Sequence, residues 1–213
     1  QFTNDFIEHI GESKYAIEEV SFKPYSSCRF THSPIDAFLG ILDENELKID
    51  EIKEIKVYTH HTAIEATMKP AERKYNPLTT VDAQFSIPYC LGLVAKYKEV
   101  TPKMFEVSAL NDREVLDIAR KVSGYEDLSY TNLFPKQNAC KLVVRTNNNT
   151  FEKEVMNSKG DPELPLTDDE LKGKFKSITN GILQTTQQDE LISAVFSIEK
   201  MNSINNLLDI LQT

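Results

Sequence analysis

The chain has 213 residues, of which 40% are hydrophobic and 27% charged, with a formal net charge of −9. That length and balance fit one globular domain of good size or two small ones. They exclude a general nucleic-acid binder, because no basic run offsets the acidic total, and a membrane span, because no apolar run is long enough.

In chain order, Tyr15 to Phe22 reads as a strand with Val20 and Phe22 on one face. The next stretch, Lys23-Pro24-Tyr25-Ser26-Ser27-Cys28-Arg29-Phe30-Thr31-His32, packs three cationic residue types into ten positions and then starts a helix. Ser33 suits the N-cap, Pro34 the first helical position and Asp36 a capping carboxylate. Ile35, Phe38, Leu39 and Leu42 then recur at helical spacing to about Leu42. His32 is thereby expected at the positive end of a helix dipole, where an acidic ligand is attracted and a neutral, proton-accepting imidazole is favoured.

Ile55, Val57 and Thr59 alternate with polar neighbours as a second strand ending at His60-His61. Residues 68–79, with Pro70 and Pro77, read as a loop, and a helix follows from about Thr80 to Tyr97, which Pro88 should kink or restart. Thr101-Pro102 opens a short helix toward Leu110. Asn111-Asp112-Arg113-Glu114 is a capping box for a helix bearing Val115, Ile118, Ala119 and Val122 and stopping at Gly124. Lys141–Thr146 and Thr150–Val155 form a hairpin whose asparagines, Asn147 to Asn149, tolerate positive φ.

Thr167-Asp168-Asp169-Glu170 caps another helix carrying Leu171, Phe175, Ile178 and Ile182. Two amphipathic helices close the chain, one on Leu191, Ile192, Val195 and Phe196, the other on Ile204, Leu207, Leu208 and Leu211. About four strands and six or seven helices, without regular strand–helix alternation or a Gly-rich phosphate loop, indicate an α+β fold.

Cys28, Cys90 and Cys140 are widely spaced and form no CxxC pair, so they read as reduced, buried thiols in a cytoplasmic protein. Adjacent strand residues point to opposite faces, so His60 and His61 are poorly placed to share a metal ion, and no metal is expected. Gln1-Phe2-Thr3-Asn4-Asp5 lacks the features of a secretion signal, and the missing initiator Met hints at a piece of a longer chain.

Three ordered blocks resemble the MmgE/PrpD family. They are Lys23-Pro24-Tyr25 with Cys28-Arg29-Phe30-Thr31-His32 and Ile35-Asp36-Ala37; Asp82-Ala83-Gln84-Phe85-Ser86-Ile87-Pro88-Tyr89; and Lys159-Gly160-Asp161-Pro162 with Pro165-Leu166-Thr167-Asp168-Asp169-Glu170-Leu171 and Lys174-Phe175. The family includes 2-methylcitrate dehydratase, cis-aconitate decarboxylase and iminodisuccinate epimerase, with members roughly twice this length.

The resemblance implies the smaller α+β domain, a small mixed sheet packed with helices, without its all-helical N-terminal partner domain. On that reading residues 1–14 are an interdomain connection, 15–186 the α+β domain, and 187–213 helices that pack on the missing domain. It further implies a lyase without metal or organic cofactor, acting on a small di- or tricarboxylate, homodimeric at full length, and inactive as this chain alone. A 2-methylcitrate dehydratase-like hydro-lyase is the leading activity, with a decarboxylase, an epimerase or a non-catalytic carboxylate- or protein-binding module as alternatives.

Such chemistry removes a proton beside a carboxylate, and needs a base, cations for the substrate and a donor for developing charge. His32 is the candidate base, against a solvated helix-capping histidine. Lys23 is a carboxylate clamp or proton carrier, against a surface lysine. Arg29 binds a carboxylate bidentately or else braces its loop through backbone carbonyls. Tyr89 donates to the leaving group or intermediate, or is a core tyrosine with a satisfied hydroxyl. Ser86 is the remaining substrate-binding candidate, and the Lys159–Pro162 block reads as a structural turn.

Overall fold

The apolar alternation at Ile55, Val57 and Thr59 places one side of a strand against a core, and that strand is the centre of the sheet. In the computed structural model, residues 15–211 are described; the segment 1–14, expected above to be a connection, lies outside them. Strands β1 (Glu54–Thr59), β2 (Val122–Glu126), β3 (Cys140–Arg145) and β4 (Thr150–Val155) form one sheet in the order β2-β1-β3-β4. β1 is parallel to β2 and antiparallel to β3, and β3 and β4 make the expected hairpin. Val57 lies opposite Leu142 and Ile55 opposite Val144, so the buried positions of neighbouring strands share one face. The architecture is α+β.

Helix α1 (His32–Glu44) covers that face, burying Ile35, Phe38, Ile41 and Leu42 against β3 and β4. Between β1 and β2 come α2 (His61–Met68), α3 (Ala71–Tyr75), α4 (Thr80–Gln84), α5 (Ile87–Tyr97) and α6 (Arg113–Ala119). α5 is buried from Ile87 to Ala95, as its nearly continuous apolar run demands. It meets α6 so closely that a Cβ on Gly92 would lie 2.3 Å from the Val115 carbonyl oxygen. α7 (Leu128–Leu133) joins β2 to β3. Contacts divide the chain into one compact unit of residues 1–165 and a second of residues 166–213. The second unit holds α8 (Asp168–Thr179), α9 (Thr185–Val195) and α10 (Asn205–Ile210), with Thr167 capping α8 in the expected box. No helix among the described residues is long and apolar enough to cross a membrane.

Several local expectations are corrected. Ala16–Glu19 is a 3-10 turn rather than part of a strand, and Val20 and Phe22 remain more than half exposed. The fourth strand is β2 instead, where Val122 pairs with Ile55 and Gly124 lies mid-strand opposite Val57 rather than ending a helix. α6 already ends at Ala119, and the Val122 that continues its apolar pattern is the buried first residue of β2. The helix expected over Thr80–Tyr97 does restart next to Pro88: α4 ends at Gln84, Ser86 is the α5 N-cap, and proline is tolerated in a first turn whose N–H groups lack helical partners.

Residues 68–79 contain α3, and 101–110 form two 3-10 turns, Pro102–Phe105 and Val107–Ala109. The hairpin needs no positive φ at its asparagines, which occurs at Glu46 and Lys98 instead. Thr146 Oγ1 closes the hairpin by accepting from the N–H groups of Asn148 (3.3 Å) and Asn149 (3.0 Å).

Gly92→Ala drives a methyl group into the α6 backbone, which cannot yield as a side chain can. We expect a loss of about 1–3 kcal/mol, read from the urea unfolding midpoint, with an unchanged m-value.

Candidate functional site

The segment from Lys23 to His32 contains no regular element longer than the 3-10 turn Arg29–Thr31, so it is placed by bonds to other parts of the chain. Cys28 N–H donates to the Gln84 carbonyl at 2.9 Å, and Gln84 Nε2 donates to the Ser26 carbonyl at 3.1 Å. Asn138 Nδ2 donates to the Arg29 carbonyl at 2.9 Å. Thr31, rather than Ser33, is the N-cap of α1 and makes no side-chain cap bond, so His32 is itself the first residue of the helix.

His32 has no exposed surface. Its Nδ1 lies 3.0 Å from Arg29 Nη1, and its Nε2 lies 3.4 Å from the Ser27 carbonyl oxygen. A guanidinium can only donate, so Nδ1 accepts and the ring proton sits on Nε2. The expectation of a proton-accepting imidazole therefore meets the opposite arrangement: the one lone pair is turned to Arg29, and the ring offers a donor. Lys23 Nζ also lies 3.4 Å from the Ser27 oxygen, so it is no more than twice that distance from His32 Nε2. The expected neighbourhood of imidazole and ammonium is present.

Arg29 also pairs with Asp161 and donates to the Lys159 carbonyl at 3.4 Å. Its fork is thus engaged by the protein's own carboxylate and carbonyl, the bracing role rather than the substrate clamp. Asp36 does not cap α1. Its two carboxylate oxygens accept from the Tyr25 hydroxyl (2.6 Å) and the Lys159 N–H (2.8 Å). Burial pushes the Asp36 carboxyl above its usual range, against the opposing pull of those two donors and Arg29. The Tyr25 ring meets the His32 ring edge-on at 5.2 Å between centroids. The contacts form a closed circuit through His32, Arg29, Lys159, Asp36 and Tyr25.

The other two candidates face elsewhere. The Tyr89 hydroxyl lies 3.1 Å from the Met104 carbonyl and 3.3 Å from that of Ala109, and burial pushes its pKa up to about 12. Ser86 Oγ donates to the Lys74 carbonyl at 2.5 Å and accepts from Tyr89 N–H at 3.0 Å. Neither hydroxyl bonds to Lys23, Arg29 or His32 among the described residues; both hold backbone in place.

His60 and His61 diverge because the chain turns into α2 between them. His60 caps that helix through Nδ1, reaches Asn138 Oδ1 through Nε2 (2.8 Å), and has its pKa lowered by burial. The His61 ring is exposed beside Glu126. Among the described residues no group of three or more His, Cys, Asp or Glu side chains could hold a metal ion.

Asp36, Tyr25, Asp161 and Lys159 are the members of this site that sequence reasoning did not assign. The signal was present: all lie in the family-like blocks, and the third block is fastened to the first. Gly160 makes that possible, with φ +87° and the Phe22 N–H bonded to its carbonyl at 2.8 Å. A Cβ there would lie 2.0 Å from the Phe22 carbonyl oxygen.

The family model of the MmgE/PrpD C-terminal domain matches residues 25–200. A cis-aconitate decarboxylase-like protein, oryM, of Aspergillus oryzae is 27% identical over 144 residues, covering 65% of this chain and 28% of that protein. The chain thus spans less than a third of the length of that curated relative.

Asp161→Ala removes the anchor of Arg29. We expect a stability loss of about 1–3 kcal/mol and, in imidazole nitrogen spectra, loss of the single Nε2–H form of His32. Asp36 predicts an unusual pH response. A carboxyl group with a raised folded-state pKa binds its proton more tightly folded than unfolded, so its contribution favours folding in acid and fades as pH rises through the raised value. The wild-type stability minus that of Asp36→Asn should fall with increasing pH from the usual carboxylate range upward, as read from urea midpoints.

Proposed function

This chain belongs to the MmgE/PrpD family as a C-terminal domain, and from that premise we propose that it forms part of a lyase acting on a small di- or tricarboxylate. The observation that carries the reading is the shared Ser27 carbonyl. Lys23 Nζ and His32 Nε2 both reach it at 3.4 Å, a distance at the weak limit of hydrogen bonding. A substrate carboxylate or developing oxyanion bound there accepts from one cationic and one neutral donor. His32 then serves as a neutral hydrogen-bond donor at Nε2, held in that form by Arg29, and Lys23 neutralises the substrate. Proton abstraction beside the carboxylate falls to a base outside this chain. Tyr89 and Ser86 support the fold of the wall rather than touching substrate.

The leading form is a hydro-lyase of the 2-methylcitrate dehydratase kind, cytoplasmic and homodimeric at full length, with the helical domain completing the cleft. His32 is fully buried in this chain, so its Nε2 meets substrate only when the Lys23–Ser27 segment moves aside. A decarboxylase is the second form, favoured by the name of the Aspergillus oryzae relative.

In the full-length protein, His32→Gln and Lys23→Met should each lower turnover by about 10²–10³-fold with the fold retained. Assays with 2-methylcitrate, citrate and cis-aconitate, following water loss and carbon dioxide release separately, decide between the two forms. Unchanged turnover in both variants on the active substrate would remove this wall from the chemistry.

A further inference from the structure

His60 has no part in the carboxylate chemistry, yet it is as fully buried as His32. It directly follows β1, whose last residue, Thr59, pairs with Cys140 and donates through Oγ1 to the Ala139 carbonyl at 2.9 Å. The ring therefore stands at the end of the sheet's central strand, beside the start of β3.

The bonds of this ring have one possible direction each. The Ala63 N–H can only donate, so Nδ1 accepts it at 3.2 Å and the ring proton lies on Nε2. Nε2 donates to Asn138 Oδ1 at 2.8 Å, which fixes the amide orientation and turns Nδ2 to the Arg29 carbonyl at 2.9 Å. The bonds thus run head to tail from the first turn of α2 to the Arg29 main chain. The ring has little freedom to turn. It stacks on the Phe134 ring at 4.2 Å between centroids, and Phe30, next to Arg29 in the chain, meets it edge-on at 5.1 Å. Burial lowers the His60 pKa, so the ring stays neutral and Nδ1 stays an acceptor.

Arg29 is held at its side chain by Asp161 and at its main chain by Asn138. A guanidinium at the end of a long side chain points in one direction only when both ends are fixed. A buried polar network in which every member is bonded supplies that rigidity.

We propose that His60 and Asn138 are positioning residues for the site: they tie the Arg29 main chain to the sheet, so that its guanidinium meets His32 Nδ1 and the His32 proton stays on Nε2. The inference deepens the carboxylate reading and rests on it for its effect on turnover. Neither residue touches substrate.

The two nitrogens of His60 can be replaced one at a time. His60→Asn keeps an acceptor near the place of Nδ1, and so the helix cap, but loses the reach to Asn138. His60→Gln carries an amide N–H to the place of Nε2 and keeps the relay while giving up the cap. Nitrogen-15 imidazole spectra of the chain read the His32 tautomer, with His32→Gln as the assignment. The wild-type chain should show one protonated and one bare His32 nitrogen. His60→Asn and Asn138→Ala should move both signals toward their average, and His60→Gln should restore the wild-type pattern. Wild-type spectra in His60→Asn overturn the proposal, as does an equal disturbance in His60→Gln, which would assign the effect to the cap. Should His60→Asn fail to fold, Asn138→Ala decides, because it leaves the cap intact, and an unmoved His32 pattern there overturns the proposal. In the full-length protein His60→Asn should lower kcat by about 10–10²-fold with KM little changed. Spectra in the expected order without that loss of turnover uphold the relay and sink the carboxylate reading instead.

Discussion

A half-buried ion pair between Arg29 and Asp161 ties together parts of the chain 132 residues apart, and the arrangement at the start of α1 depends on it. Arg29 can fix the His32 tautomer only while its own position is fixed, and the segment before it has neither strand nor long helix to do that. Asp161 supplies the charge, the Lys159 carbonyl a second acceptor, and Asp36 returns the tie by holding the Lys159 N–H. Each contact alone is of modest worth, since folding trades it against water. Together they close a circuit in which the loss of one member leaves several buried polar groups unpaired, which is where the large penalties lie. The positive φ of Gly160 belongs to the same constraint, because only a residue without Cβ lets that loop approach the Phe22 carbonyl.

The elements read correctly were those whose burial is set by their own period. α1, β1, the β3–β4 hairpin and α8 each carry an apolar stripe at one spacing, and α8 has its own capping box. Misreadings fell where one pattern served two structures. The apolar run through Val115, Ile118, Ala119 and Val122 spans the end of α6 and the start of β2, and Gly124 mimics a helix stop while lying in a strand. Val20 and Phe22 alternate like a strand, yet no sheet edge receives them, and a single bond from Phe22 N–H to Gly160 takes its place. Strand membership is decided by a partner far away in sequence, which local periodicity does not contain.

Within the site, residue types were legible and roles were not. Asp36 stands three residues after Ser33 and satisfies a capping pattern, yet Tyr25 and Lys159 claim its oxygens because the helix begins earlier, at His32. Tyr89 and Ser86 share a block with Gln84, and only Gln84 is bonded to the Ser26–Cys28 segment. The three family-like blocks mark convergence instead: the second and third both fasten the first. A block can therefore signal a site while most of its members do the holding.

The chemistry available at that wall follows from which charges are already neutralised. Arg29 is matched by Asp161, and Asp82 by Arg73 and two backbone N–H groups. In a chain of net charge −9, a small anion is repelled at distance and is held only where a cation has been kept from the protein's own carboxylates. At this wall the His32 ring adds a donor without a charge: Nδ1 is turned to Arg29 and the proton sits on Nε2. A neutral donor is far less costly to bury than an ammonium, which is why a fully buried residue can hold that position.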